Sequence, residues 1–166
     1  MKRIILVLLV VVAFSFNTQE VAAQEISPHA IGLRFGDSDG FGPEINYQHA
    51  LRENNRLELG LSWHSRRHHD AIKLIGIYQW VWNIEGGFNW FAGPGAGLGN
   101  VSYNYDHRHP DYGRDSEFFA FISGAIGIEY NFNIPLMISL DARPQLNLGY
   151  NNDLGFDVGL GIRYQF

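Results

Sequence analysis

From Ile31 to the C-terminus, apolar and polar residues alternate with a period of two, the spacing that sends successive side chains to opposite faces of a β-strand. Helical periodicity is absent from the same stretch. Eight alternating segments can be drawn, at 29–36, 43–51, 57–64, 71–82, 88–101, 118–132, 136–148 and 154–166. The last shows the pattern plainly: Phe156, Val158, Leu160, Ile162, Tyr164 and Phe166 lie on one face, and Asp157, Gly159, Gly161, Arg163 and Gln165 on the other. Segments six and seven repeat it, with Ile122, Ile126, Ile128 and Leu136, Ile138, Leu140 set against Ser123, Glu129 and Ser139, Asp141, Arg143. Each segment approaches or exceeds the roughly 9 to 11 residues with which a tilted strand crosses a bilayer. Alternation alone also suits a soluble sandwich, so it leaves the solvent of the outer face open.

The connections decide between the two. Arg52–Arg56, Asn83–Gly87 and Asn133–Pro135 are short; they alternate with 37–42, 65–70, 102–117 and 149–153, of which one is long. Short turns at one end and longer polar loops at the other are the asymmetry of a transmembrane barrel. With the short turns assigned to the periplasm, Trp80, Trp82, Phe88, Trp90, Tyr130, Phe132, Tyr164 and Phe166 fall together at the periplasmic strand ends as an aromatic girdle. Trp63, Tyr103, Phe118 and Tyr150 fall near the opposite rim.

Ahead of the strands, residues 1–23 have a charged start at Lys2 and Arg3, an apolar run from Ile4 to Phe14, and Val21-Ala22-Ala23 before Gln24. This is the layout of a cleaved secretory signal peptide. The apolar run is too short for the roughly 20 residues of a spanning helix. The expected domain plan is therefore a signal peptide at 1–23 and one barrel domain at 24–166. A chain of 166 residues leaves room for one such domain, and any membrane crossing beyond residue 23 has to be made by a barrel. The absence of cysteine removes disulfides, thiolate metal sites and cysteine nucleophiles. A formal charge of −5, with no basic run longer than Arg66-Arg67, lacks the footprint of nucleic-acid binding.

Several stretches then carry a resemblance. Gly76-Ile77-Tyr78-Gln79-Trp80, the run from Phe88 to Gly99, Pro135–Pro144, and the ending Arg163-Tyr164-Gln165-Phe166 resemble a family of small outer-membrane β-barrel proteins of Bacteroidetes-type bacteria, on the plan of the OmpX- and OmpA-type eight-stranded barrels. The resemblance implies an all-β, eight-stranded antiparallel up-and-down barrel in the cell outer membrane. It also implies that Phe166, with Tyr164 two residues before it, is the signal read by the barrel assembly machinery. Function must still be argued from sites.

On this alternation the lumen receives Arg34, Glu44, Glu58, Lys73, Glu129, Asp141, Arg143, Asp157 and Arg163, five acids and four bases. An eight-stranded barrel is only wide enough for side chains to fill it, so these charges are expected to pair as a structural plug. Gly93, Gly95, Gly97 and Gly99 are expected to face inward and make room for long Arg or Glu neighbours. Gly161→Ser is expected to be tolerated better than Leu160→Arg. In the loops, His68, His69, His107 and His109, with His64 and nearby aspartates, are the candidate metal ligands. Arg66, Arg67, Arg108 and Arg114 are candidates for lipopolysaccharide phosphates. Ser62, His64 and Glu58 share a strand face, which keeps open a barrel enzyme acting on lipid A or phospholipid. A soluble periplasmic lipocalin-like carrier would require the two faces to be inverted. The reading preferred on sequence is a monomeric, non-enzymatic barrel without a cofactor, in contact with outer-membrane lipid and lipopolysaccharide, with a structural or surface-interaction role.

Overall fold

The structure, a computed structural model, describes residues 26–36, 42–66, 69–103, 116–148 and 154–166. The segment read as a signal peptide lies outside the described residues. Eight strands follow one another: β1 (His29–Gly36), β2 (Glu44–Arg52), β3 (Asn55–Arg66), β4 (His69–Glu85), β5 (Phe88–Tyr103), β6 (Ser116–Asn131), β7 (Leu136–Leu148) and β8 (Leu154–Gln165). Each pairs antiparallel with its chain neighbour, and β1 pairs with β8, so the sheet closes on itself. Closure removes the unpaired edges that an open sheet of this length would expose.

The strands overlap the alternating segments closely. The main differences are at the turns, which are tighter than the sequence reading allowed. Two residues, Glu53 and Asn54, connect β2 to β3, so Asn55 and Arg56 are strand residues. Gly86 and Gly87 connect β4 to β5, and Gly86 has φ of 54°, a left-handed conformation that glycine adopts without a Cβ clash. Asn83 closes that turn by donating its Nδ2 to the Gly86 carbonyl at 3.0 Å. These turns and residues 132–135 lie at one end of the barrel with both chain ends of the sheet, here the turn end; the connections at the opposite end, the loop end, lie outside the described residues.

Burial follows the period of two on every strand. On β8, Asp157, Gly159, Gly161 and Arg163 are buried while Val158, Leu160 and Ile162 are exposed. The inverted arrangement that a lipocalin-like carrier needs is not the one adopted. The exterior is a continuous apolar wall of Ile, Leu, Phe and Trp, of which Leu33, Leu74, Ile126 and Leu140 are examples. An apolar surface of that extent is unstable in water and suits the hydrocarbon of a bilayer. Two outward prolines, Pro94 and Pro144, interrupt the β4–β5 and β6–β7 ladders, since proline has no N–H to donate. The ladders resume on either side in unchanged register.

Candidate functional site

The barrel interior has two different linings. On the β4–β6 side it is apolar: Ile75, Ile77, Phe121 and Ala125 pack together, with Phe119 against them. The inward glycines of β5 are placed opposite these side chains. Gly97 is the register partner of Phe121 and Gly99 of Phe119, and a Cβ at either position would run into the facing ring. Gly97 and Gly99 therefore make room for phenylalanine, while a Cβ at Gly93 or Gly95 would meet the β4 backbone at the Tyr78 or Gly76 carbonyl, so the expectation that these glycines accommodate arginine or glutamate is corrected. The glycines that do yield to charged groups are elsewhere. A Cβ at Gly159 would strike the Arg34 guanidinium, one at Gly60 the Glu44 carboxylate, and one at Gly161 both Ser139 Oγ and Arg163 Nη1.

The remainder of the interior is charged. Arg34, Glu44, Glu58, Lys73, Glu129, Asp141, Arg143, Asp157 and Arg163 are all buried inside the barrel, each at most 4% exposed. Arg56 joins them at 2% exposed, a residue the sequence reading left in a turn. Strand parity could have found it, because Arg56 lies on the same face of β3 as Glu58, Gly60 and Ser62. Its inclusion brings the named interior charges to five acids and five bases.

Most of these groups form one linked network. Arg34 lies between two aspartates, its Nη2 2.7 Å from Asp141 Oδ1 and its Nη1 2.5 Å from Asp157 Oδ2. Asp141 also accepts from Arg143 Nε at 3.1 Å. Arg143 extends across the barrel to Glu44 at 3.1 Å and Glu58 at 2.5 Å. Glu58 in turn meets Arg163 Nη2 at 3.2 Å and accepts from Gln48. Arg163 completes its bonding with Asn46 Oδ1 at 2.9 Å and Ser139 Oγ at 2.6 Å. Contacts thus run from β8 through β1 and β7 to β2 and β3, tying together strands that are not neighbours in the sheet.

Nearer the turn end, Arg56 forms a two-pronged pair with Glu129, at 2.6 and 3.1 Å, and donates Nε to Gln79 Oε1 at 2.7 Å. Its guanidinium lies 5.1 Å from the centre of the Phe91 ring, where the apolar and charged linings meet. Lys73 Nζ is placed in the same way, 5.6 Å from the Phe121 ring centre. Little space remains between these groups. A gap bordered by Gln48, Arg56, Asn89 and Glu129 measures about 10 Å³, close to the room one water needs.

On the outside, the girdle residues collect at the turn end. Trp82 stacks on Trp90 with ring centres 4.3 Å apart, Phe88 packs on Tyr130 at 4.6 Å, Tyr130 on Phe132 at 4.7 Å, and Tyr164 on Phe166 at 6.2 Å. Trp80 packs edge-on against Tyr78 at 5.0 Å. At the opposite rim Trp63 and Phe118 are exposed. Tyr150 lies outside the described residues.

The remaining candidates divide in the same way. His68, His107 and His109 lie outside the described residues, as do Arg67, Arg108 and Arg114. His69 pairs by its backbone with Arg66 and Tyr103. Ser62 and Glu58 both face the interior, and Glu58 is already engaged by two arginines and a glutamine.

Solved structures with this architecture are known. Neisserial surface protein A superposes with a TM-score of 0.58 at 11% identity, over 83% of this chain and 94% of that one. The fold is that of the small eight-stranded outer-membrane β-barrels. The N-terminal β-barrel domain of Pseudomonas aeruginosa OprF matches this barrel with a TM-score of 0.58 at 15% identity, over 83% and 96% of the two chains. The attachment invasion locus protein Ail of Yersinia pestis does so at 0.53 and 14%, over 84% and 97%. No protein-family model and no curated protein sequence matches the chain. The barrel is thus shared with these proteins at the level of backbone architecture.

Proposed function

We propose that the protein is an integral outer-membrane barrel whose lumen is closed by its own ion pairs, serving as a rigid scaffold that presents its loops at the cell surface. The observation that carries this reading is the balanced set of five buried acids and five buried bases. A charge without compensation in so narrow an interior costs several kcal/mol, so an equal number of opposite charges held in contact is a packed core. A water-filled pore would leave such side chains hydrated instead of buried against one another. The loop arginines Arg67, Arg108 and Arg114 supply guanidinium groups suited to lipopolysaccharide phosphates, which makes that lipid the partner at the outer rim. The assignment as a non-enzyme rests on Glu58. A general-base triad with Ser62 and His64 would need this carboxylate, and Arg143 and Arg163 already hold it.

The test is planar-bilayer recording of the refolded full chain, together with fractionation of cells. The expected results are no reproducible single-channel steps and a heat-modifiable band in the outer-membrane fraction. Stable conductance steps from the unmutated protein would overturn the closed-lumen reading, and recovery in the soluble fraction would overturn the location.

A further inference from the structure

His29 and His49 were not part of any sequence motif, yet the closure of the barrel brings them face to face. His29 opens β1 and His49 lies near the end of β2, and the two are register partners at the turn end. The backbone of His29 is engaged on its other side, donating to the Phe166 carbonyl at 3.1 Å and accepting from the Phe166 N–H at 2.9 Å. On the β2 side the adjoining bond runs from the Ala50 N–H to the Pro28 carbonyl at 2.9 Å. His29 and His49 therefore form a non-hydrogen-bonded cross-strand pair, the kind in which side chains approach most closely. Ala30 and Gln48 beside them are buried, so both imidazoles point out of the barrel into the aromatic girdle.

There the two rings stack with centres 5.0 Å apart and Nδ1 atoms 3.3 Å apart. Phe166 stacks on the other side of His29, at 5.5 Å, and the Tyr47 hydroxyl lies 2.7 Å from His29 Nδ1. A ring nitrogen carries either a proton or a lone pair. Two Nδ1 atoms 3.3 Å apart can share one proton or, with the rings turned so that their in-plane lone pairs converge, bind one cation. The spacing admits both arrangements. Two nitrogen ligands at 2.0–2.1 Å around a tetrahedral zinc ion are separated by about 3.3 Å. A square-planar copper(II) site brings neighbouring nitrogens to only about 2.8–2.9 Å on the same bond lengths.

We propose that His29 and His49 form an open divalent-metal site of the zinc class on the outer wall of the barrel, at its periplasmic rim. Among the described residues no group of three or more His, Cys, Asp and Glu is assembled. The pair therefore supplies two ligands, water or a lipid headgroup fills the remaining positions, and the Tyr47 hydroxyl, 2.7 Å from His29 Nδ1 in the metal-free chain, gives up that contact when the nitrogen turns its lone pair to the cation. A cation held there bridges β1 to β2 at a residue whose backbone also closes onto Phe166, just past the end of β8. It binds the folded register and has no such pair to bind in the unfolded chain, so it stabilises the fold.

The experiment uses the refolded full chain with His68, His69, His107 and His109 replaced by glutamine, which removes the loop histidines as competing ligands. Zinc sulfate is titrated with calorimetric detection. Modification of the remaining histidines by diethyl pyrocarbonate is read by peptide mass spectrometry with and without the metal. The expected result is one zinc per chain, slowed modification of both His29 and His49, and a higher unfolding midpoint with zinc. Adding His49→Gln, at an exposed position, should weaken binding about ten-fold or more and cancel the shift in midpoint. His29→Gln should do the same. Equal modification of His29 and His49 with and without zinc, or affinity unchanged in His49→Gln, would overturn the proposal. So would loss of all binding when only the loop histidines are replaced.

Discussion

Replacing Arg143 with methionine tests the interior network at its most connected point. The substitution keeps a long side chain in place and removes the charge from a residue that meets Glu44 at 3.1 Å, Glu58 at 2.5 Å and Asp141 at 3.1 Å. The three carboxylates are not affected equally. Asp141 keeps Arg34 at 2.7 Å, and Glu58 keeps Arg163 at 3.2 Å along with Gln48. Glu44 loses its ion pair while remaining buried at 3% exposure. Breaking a buried pair by removing one partner costs about 3–5 kcal/mol. With a urea slope of about 2 kcal/mol per molar, the midpoint should fall by roughly 2 M. Adding Glu44→Gln removes the orphaned charge, so the double variant should regain about 1–3 kcal/mol relative to Arg143→Met alone. The assay is reversible urea unfolding in lipid vesicles, followed by the fluorescence of the four tryptophans. An unchanged midpoint for Arg143→Met, or a double variant less stable than the single one, would refute the pairing scheme.

The two faces of β8 give a further test, because Leu160 is outward between register partners Phe35 and Leu140. Leu160→Arg should cost about 2–4 kcal/mol in a bilayer, measured by the same unfolding assay. Gly161→Ser should also destabilise, by displacing the Arg163 head from Ser139, whereas Gly76→Ala, whose added Cβ would sit 3.6 Å from Leu59 Cδ2, should be close to neutral. If the arginine were harmless and both glycine variants equally damaging, the assignment of faces would be wrong. Mass spectrometry of the membrane-bound protein should find an N-terminus at Gln24 or within a residue or two, and an intact Met1 would contradict a cleaved leader.

The faces of the strands were legible in sequence because a period of two leaves no intermediate state. A slip of one residue would have moved every charge to the lipid and every leucine inward. That constraint placed Arg34, Glu44 and Arg163 without any knowledge of the pairing. What it could not supply was the relation between strands. Two of the inward glycines of β5 face phenylalanine because the β5–β6 register sets Gly97 against Phe121 and Gly99 against Phe119. The His29–His49 pair exists because the β1–β2 register sets two residues 20 positions apart side by side. Alternation within a strand contains neither fact.

Arg56 is a different kind of omission, since the sequence did contain the clue. Asn54, Asn55 and Arg56 together look like a polar loop, and the turn this pattern predicts is longer than the two residues the chain uses. That longer turn leaves the interior with five acids and four bases. In a space too narrow for bulk water, a surplus carboxylate has no inexpensive state, because it must be neutralised or matched. The imbalance was itself evidence that a base had been assigned to the wrong element. Two bases of that polar stretch, Arg52 and Arg56, continue the inward parity of β2 and β3; Arg56 turns inward and meets Glu129 at 2.6 Å, while Arg52, past the β2–β3 register shift, is exposed. For a closed barrel of this size, charge balance of the inward face is thus a constraint on strand boundaries as well as on stability. It says that one more base belongs inside, and the β2–β3 register decides that the base is Arg56.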